Sequence, residues 1–186
     1  MHTLGTKNIE NNPVNEYSID SFPVACCDNW RIYKSKLYKE EEYRGYVASK
    51  KKYLYGLRVH CVVTKDGRLV ESILAPASHN DMKVARYFNL DLPEGSIVYL
   101  DKIYNDYVYE DILRDVGIAW MPIRKKNSKR KRAPYVEYLK QFNRKMVETA
   151  FSIIKQMFPK KIHAVTAKGF ELKILLFLIA YSIRYL

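Results

Sequence analysis

The 186-residue sequence predicts an α/β domain: a mixed sheet with helices on both faces, in which three antiparallel strands precede alternating strands and helices. Three observations predict it. Aliphatic and β-branched runs with hairpin punctuation fill the first half, and strand-length and helix-length patterns alternate in the second. The third is a balance of 48% hydrophobic against 28% charged residues, which suits one buried core. A chain of this size buries roughly 70% of its unfolded surface, enough for one compact unit.

Residues 1–15 read as a short polar extension and residues 16–186 as the domain proper. Residues 17–24 alternate and end near Pro23, giving a strand that carries Asp20. Two further strands, 55–64 and 69–75, are joined by Lys65-Asp66-Gly67-Arg68, where Asp-Gly is a strong hairpin signal. Ser78 or Asn80 caps a helix expected to run through Phe88. Leu92-Pro93-Glu94-Gly95 then turns the chain into a strand over 97–100 that ends on Asp101. Asn105 is the expected cap of the next helix, which stops at Gly117, and a strand over 118–123 follows. Pro134 opens a long amphipathic helix that carries Glu148 and ends at Pro159. The last helix, 169–186, is apolar nearly all round, as for a helix packed inside the fold or covered by a partner such as a second copy.

The formal net charge of +12 is concentrated in two segments. Residues 124–132 hold seven basic residues, Arg124, Lys125, Lys126, Lys129, Arg130, Lys131 and Arg132, and no acid. One sign with Asn127-Ser128 between reads as a loop whose expected partner is the DNA backbone. Residues 31–52 carry eight basic residues against Glu40, Glu41 and Glu42, interleaved with tyrosines from Tyr33 to Tyr53. That composition suits backbone contact with base stacking, and equally an ordered loop packing its tyrosines on the fold. No apolar run is long enough to span a bilayer, and the first 15 residues lack the features of a secretory signal, so a cytoplasmic protein is expected. The three cysteines lack zinc-site spacing and read as reduced thiols. His79 and Asp81 read as a helix start, His60 as an ordinary strand residue, and Trp120 as core.

The acids carry the chemistry. Asp20 sits inside an apolar strand, Asp101 ends another, and Glu148 lies beside Met146, Val147 and Ala150 on a helix that should pack on the sheet. Three acids aimed at one place repel unless cations hold them, and two Mg²⁺ ions can clamp the attacking and leaving oxygens of a phosphodiester. Asp20 and Asp101 closing strand ends through turn hydrogen bonds, with Glu148 paired to Arg144 or Lys155, accounts for the same residues. On residue chemistry alone the two readings stand level.

The wording around these acids resembles the DDE transposases of bacterial insertion sequences, over nearly the whole chain. Ile19-Asp20-Ser21 resembles the first-acid motif and Tyr99-Leu100-Asp101-Lys102-Ile103-Tyr104 the second. Arg144, Glu148 and Lys155 reproduce the Arg, Glu, Lys spacing of one large branch around its third acid. Tyr55-Gly56-Leu57-Arg58-Val59-His60, Ser78-His79-Asn80-Asp81 and the stretch from His163 to Glu171 agree as well.

The resemblance implies a ribonuclease-H-like fold, with Asp20, Asp101 and Glu148 as catalytic and metal-binding residues for two Mg²⁺ ions, which Mn²⁺ can replace. It implies DNA as partner, both transposon end and target, with Arg144 and Lys155 on its phosphates, and no small-molecule cofactor and no membrane. Water would cut a phosphodiester at the transposon end, and the freed 3′-hydroxyl would attack target DNA. Two departures stand out: Gln141 replaces the branch's usual Tyr, and Ile103 replaces a small residue. The first acid lies only 20 residues in, so the helical end-recognition region of the family is expected to be missing. A catalytically silent DNA-binding or assembly remnant is the alternative function.

Overall fold

The computed structural model describes residues 2–159 and 161–185, without the side chains of 2, 3, 49 and 144–147. The sheet has six strands: β1 (Glu16–Asp28), β2 (Arg44–Val47), β3 (Lys52–Thr64), β4 (Leu69–Pro76), β5 (Ile97–Leu100) and β6 (Ala119–Pro122). Its order is β2-β3-β1-β5-β6, with β4 paired to β3 beside β2. β1, β2 and β4 run antiparallel to β3, and β5 and β6 extend the sheet in parallel from β1. The expected mixed sheet is present, with α2 (Asp81–Ala85) and α3 (Tyr107–Asp115) packed on one face and α4 (Pro134–Met157) and α5 (Ala167–Ile183) on the other.

Strand alternation sets the two cores. Phe22 and Val24 of β1 and Val59, Cys61 and Val63 of β3 face α4 and α5, where Phe151, Ile154, Phe170 and Ile174 are buried. Tyr17, Ile19, Val98 and Leu100 face the other way, onto Met82, Ala85 and Leu113. The β3–β4 hairpin turns at Gly67, whose φ of +92° is a left-handed conformation that suits glycine. Residues 2–10 are not only a polar extension, because they form a helix, α1 (His2–Glu10), docked on the edge strand β4. There the Asn8 amide donates to the Leu69 carbonyl at 2.7 Å, and Gly5 lies so close to the Val70 carbonyl that a Cβ would collide with it.

Three boundaries differ from expectation. β1 runs on to Asp28, through Pro23, because β5 ends at Leu100 and leaves that edge of β1 without a strand that would need the missing N–H. The α3 cap is Asp106, which accepts from the Tyr109 amide, while the neighbouring Asn105 donates to the Lys102 and Ile123 carbonyls. α2 is a helix of only five residues, capped by Asn80 as expected, and the chain leaves it at Arg86 to bury Phe88 and Leu90. Residues 29–43 form two short 3-10 turns that bury Leu37 and Tyr38 against α5, with the Tyr38 hydroxyl 3.0 Å from Glu171 Oε1.

Candidate active site

β1 and β5 are parallel neighbours in the register Glu16↔Ile97, Tyr17↔Val98 and Ser18↔Tyr99. Continued along both chains, the register sets Asp20 beside Asp101, at the carboxyl end of β5. Residues in register on parallel strands share a face. Because Tyr17, Ile19, Val98 and Leu100 point to the α2 and α3 core, Asp20 and Asp101 lie on the α4 side. Two further observations agree. Asp20 pairs across β3 with Cys61, which lines the α4 and α5 core, and its carboxylate adds to the burial that pushes the Cys61 thiol up. The Ser21 amide donates to Asp20 Oδ1 at 2.8 Å and the Lys102 amide to Asp101 Oδ1 at 2.7 Å, so both carboxylates are oriented by their own backbone.

Glu148 comes from the helix that crosses this face. Near its middle, Asn143 hydrogen-bonds Tyr99 of β5 and so opposes the burial that raises the Tyr99 hydroxyl. Further on, Phe151 lies edge-on to Phe22 at 5.9 Å, and the Lys155 ammonium sits over the same ring at 5.6 Å. Glu148 falls between these contacts along the helix, on an exposed turn of α4. Arg144 lies one turn earlier, its side chain outside the described residues. Two of the three carboxylates thus come from neighbouring parallel strands, and the third from the helix that packs on the same face. Their hard oxygen donors fit Mg²⁺ or Mn²⁺. Among the described residues, no three His, Cys, Asp or Glu side chains stand close enough to hold a metal ion.

Behind Asp20, on the opposite face, lies a buried polar cluster that periodicity does not reveal. Asp81 accepts from the Ser21 hydroxyl at 2.8 Å and from Arg58 Nη1 at 3.1 Å, and His60 Nδ1 lies 3.6 Å away. Asp81, expected only as part of a helix start, also ties α2 to β1 and β3. Burial pushes His60 down to about 4, with Arg58 and His79 acting in the same direction and Asp81 opposing. The signal available in the sequence was Arg58 and His60 two apart, hence on the same strand face, with an acid at the helix start downstream.

The 124–132 loop is tied down by its arginines. The Arg124 guanidinium forms two hydrogen bonds to buried Glu110, donates to Asn105 Oδ1 at 2.9 Å, and stands 5.4 Å from the Tyr107 ring centre. Arg130 grips Asp111 with bonds of 2.8 and 2.7 Å and stacks on Tyr107, and half-buried Arg132 contacts Met121. Lys125, Lys126, Lys129 and Lys131 are exposed. Trp120 is core as expected, its indole donating to the Tyr104 carbonyl at 3.1 Å. Cys26, Cys27 and Cys61 are free thiols. No helix among the described residues is long and apolar enough to cross a membrane.

No curated protein sequence matches the chain. Its fold is similar to that of a piggyBac transposase solved as a synaptic complex with hairpin DNA, with a TM-score of 0.61 at 10% sequence identity. The match covers 96% of this chain and 48% of that one, so this chain spans about half the length of the protein it resembles. The family model described as "Transposase DDE domain" matches residues 12–164, from just before β1 to the link between α4 and α5, and the chain belongs to that family.

Proposed function

We propose that this domain hydrolyses DNA phosphodiesters and transfers the freed strand in the transposition of an insertion sequence, with Asp20, Asp101 and Glu148 as its catalytic and metal-binding residues. The observation that carries the reading is the β1–β5 register, which continued by two residues sets Asp20 within β1 beside Asp101 just past the end of β5, on the face crossed by α4. Mg²⁺ is the expected ion, two being needed to act on both reacting oxygens, with Mn²⁺ a substitute. A divalent cation there, when bound, supplies Lewis-acid stabilisation of charge on the reacting phosphate.

The chain's own residues do the rest. The Ser21 and Lys102 amides orient the two strand carboxylates, and Glu148 supplies the third from α4. The Lys155 ammonium, over Phe22, takes a strand phosphate as a point charge, and Arg144, one turn before Glu148, takes another with its planar fork. The exposed Lys125, Lys126, Lys129 and Lys131 hold the backbone of the transposon end or target further out. On α5, Leu172, Leu176 and Ile183 are exposed at spacings that share a face, a seat for a second copy in a homodimer. The protein works beside the chromosome in the cytoplasm.

A second reading, a catalytically silent DNA-binding remnant, is favoured by the spacing of the acids, since no three metal-ligating side chains among the described residues are in reach of one ion. One experiment separates them: calorimetric titration of Mg²⁺ and Mn²⁺ into the chain and its Asp101→Asn variant, with nicking of supercoiled plasmid in the same buffers. Metal binding and nicking, both lost in the variant, are the expected result. DNA binding without either sinks the catalytic reading.

A further inference from the structure

A hollow begins beside the proposed active site and leads away from it. It is a groove of about 1140 Å³, walled by the second half of β1, the turns that follow it, and the link between α4 and α5. Phe22 and Lys155, two residues from Asp20 and two helical turns from Glu148, form its near end. Eight lysines and arginines line it against one acid, Asp28, including Arg31, Lys36, Lys50 and Lys161. Asp28 shows the resulting field: hydrogen-bonded by Lys52 at 2.9 Å and faced by Arg31 and Lys161, it is held below the usual carboxylate range.

The floor is different in kind. Pro23, Cys26, Phe158 and Ile162 make it apolar. At the far end the groove shares Asp28 and Lys52 with a second hollow of about 410 Å³, walled by Trp30 and Tyr53. Trp30 is 68% exposed, and the Arg31 guanidinium stands 5.2 Å from its ring centre; Tyr53 has Arg44 at 4.4 Å. A DNA duplex presents phosphates outward and hides its base faces, so it would leave this floor and these rings without a partner. An unpaired strand presents both phosphates and base faces.

We infer that the groove carries an unpaired DNA strand, which runs from the carboxylates along β1 to stack its bases on Trp30 and Tyr53. The track along β1 from Asp20 to Asp28 is roughly 26 Å. The inference rests on the strand-transfer reading, and it adds that the DNA flanking the reacting phosphodiester is held single-stranded by this domain.

The chain has two tryptophans, and Trp120 is buried, so quenching of the exposed indole reports on Trp30 directly. The full chain is titrated in EDTA with oligo(dT) of about 10 nucleotides and with a duplex of equal length. The expected result is tighter binding of the single strand with quenching, and loss of the quench in Trp30→Phe. Charge reversal at two exposed rim positions, Lys36→Glu with Lys161→Glu, weakens single-strand binding about tenfold or more and flattens its salt dependence. Duplex binding at least as tight as single-strand binding without a quench, or an unchanged affinity in the charge-reversal variant, overturns the inference. Plasmid nicking with Mg²⁺ keeps the two readings apart. Nicking without the quench removes the groove alone, and the quench without nicking removes the catalytic reading alone.

Discussion

Asp81→Asn tests the buried cluster behind Asp20. The substitution keeps shape and removes charge. In the native protein the Asp81 carboxylate is 8% exposed and the Arg58 side chain 20%, and Arg58 Nη1 lies 3.1 Å from both carboxylate oxygens. Removing one partner of a buried ion pair costs about 3–5 kcal/mol, because the other charge is left uncompensated. Water reaches Arg58 in part and the Asn oxygen still accepts from Ser21, which lowers the expected cost to about 2–3 kcal/mol. For a domain of this size each kcal/mol moves Tm by about 2–4 °C, so a fall of about 4–12 °C is expected by circular dichroism. Arg58→Met alone should destabilise as well, and the double variant should recover part of the loss, since it leaves no charge behind. A fall of under about 2 °C in Asp81→Asn, or full additivity in the double variant, would refute the claim that the pair locks α2 to the sheet.

Acid should destabilise the protein through His60, whose folded-state value of about 4 lies below its ordinary 6.5. The unfolded chain takes the proton first, so this contribution is full above about 6.5 and lost as pH falls towards 4; Tm against pH should flatten in that window in His60→Gln. Gly67→Ala puts a Cβ 3.1 Å from the Tyr185 hydroxyl and 3.2 Å from Ala150 Cβ at a φ of +92°, and should cost about 1–2 kcal/mol, read from urea midpoints. In the basic loop the two residue types should separate. Arg124→Ala, which abandons Glu110 in a pair with side chains 5% and 7% exposed, should lose about 3–5 kcal/mol, whereas Lys126→Ala should leave Tm unchanged and lower the salt slope of DNA binding by about 1.

Much of the fold was legible because its signals are local. Alternation and the Asp66-Gly67 turn suffice for β3 and β4, and Pro134 with a three-to-four spacing suffices for α4. Where two local signals compete, sequence cannot rank them. Asn105 and Asp106 are both good caps, and the choice went to Asp106 because Asn105 is spent on bridging two carbonyls. β2 escaped notice because four residues, Arg44 to Val47, inside a charged segment carry no period to read. The strand acids were legible as oddities, polar residues where an apolar strand should close. Their adjacency was not, because it depends on the parallel register of β1 and β5, two strands some 80 residues apart. The Arg58–Asp81 pair failed to show for the same reason: its partners are 23 residues apart and on different elements.

Charge is where a count over the sequence and the folded molecule part company. Residues 124–132 contribute seven cations to any sum, yet Arg124 and Arg130 are bonded within the protein to Glu110 and Asp111, Arg132 lies half-buried against Met121, and the four lysines are exposed. The division follows from the side chains. A planar guanidinium meets a carboxylate with two parallel bonds and is desolvated at modest cost, so a fold that must anchor a loop uses arginine. An ammonium on a flexible stem is strongly hydrated, gains little from one fixed geometry, and keeps its charge at the surface. A loop anchored by arginine and studded with lysine presents a rigid array of point charges. That suits contact with a phosphate backbone, which asks for positive charge at a set place and for no recognition of sequence. The groove beside β1 reaches the same end by another route, with mostly lysine on its rim over an apolar floor, and there the floor rather than the charge selects the form of DNA that fits.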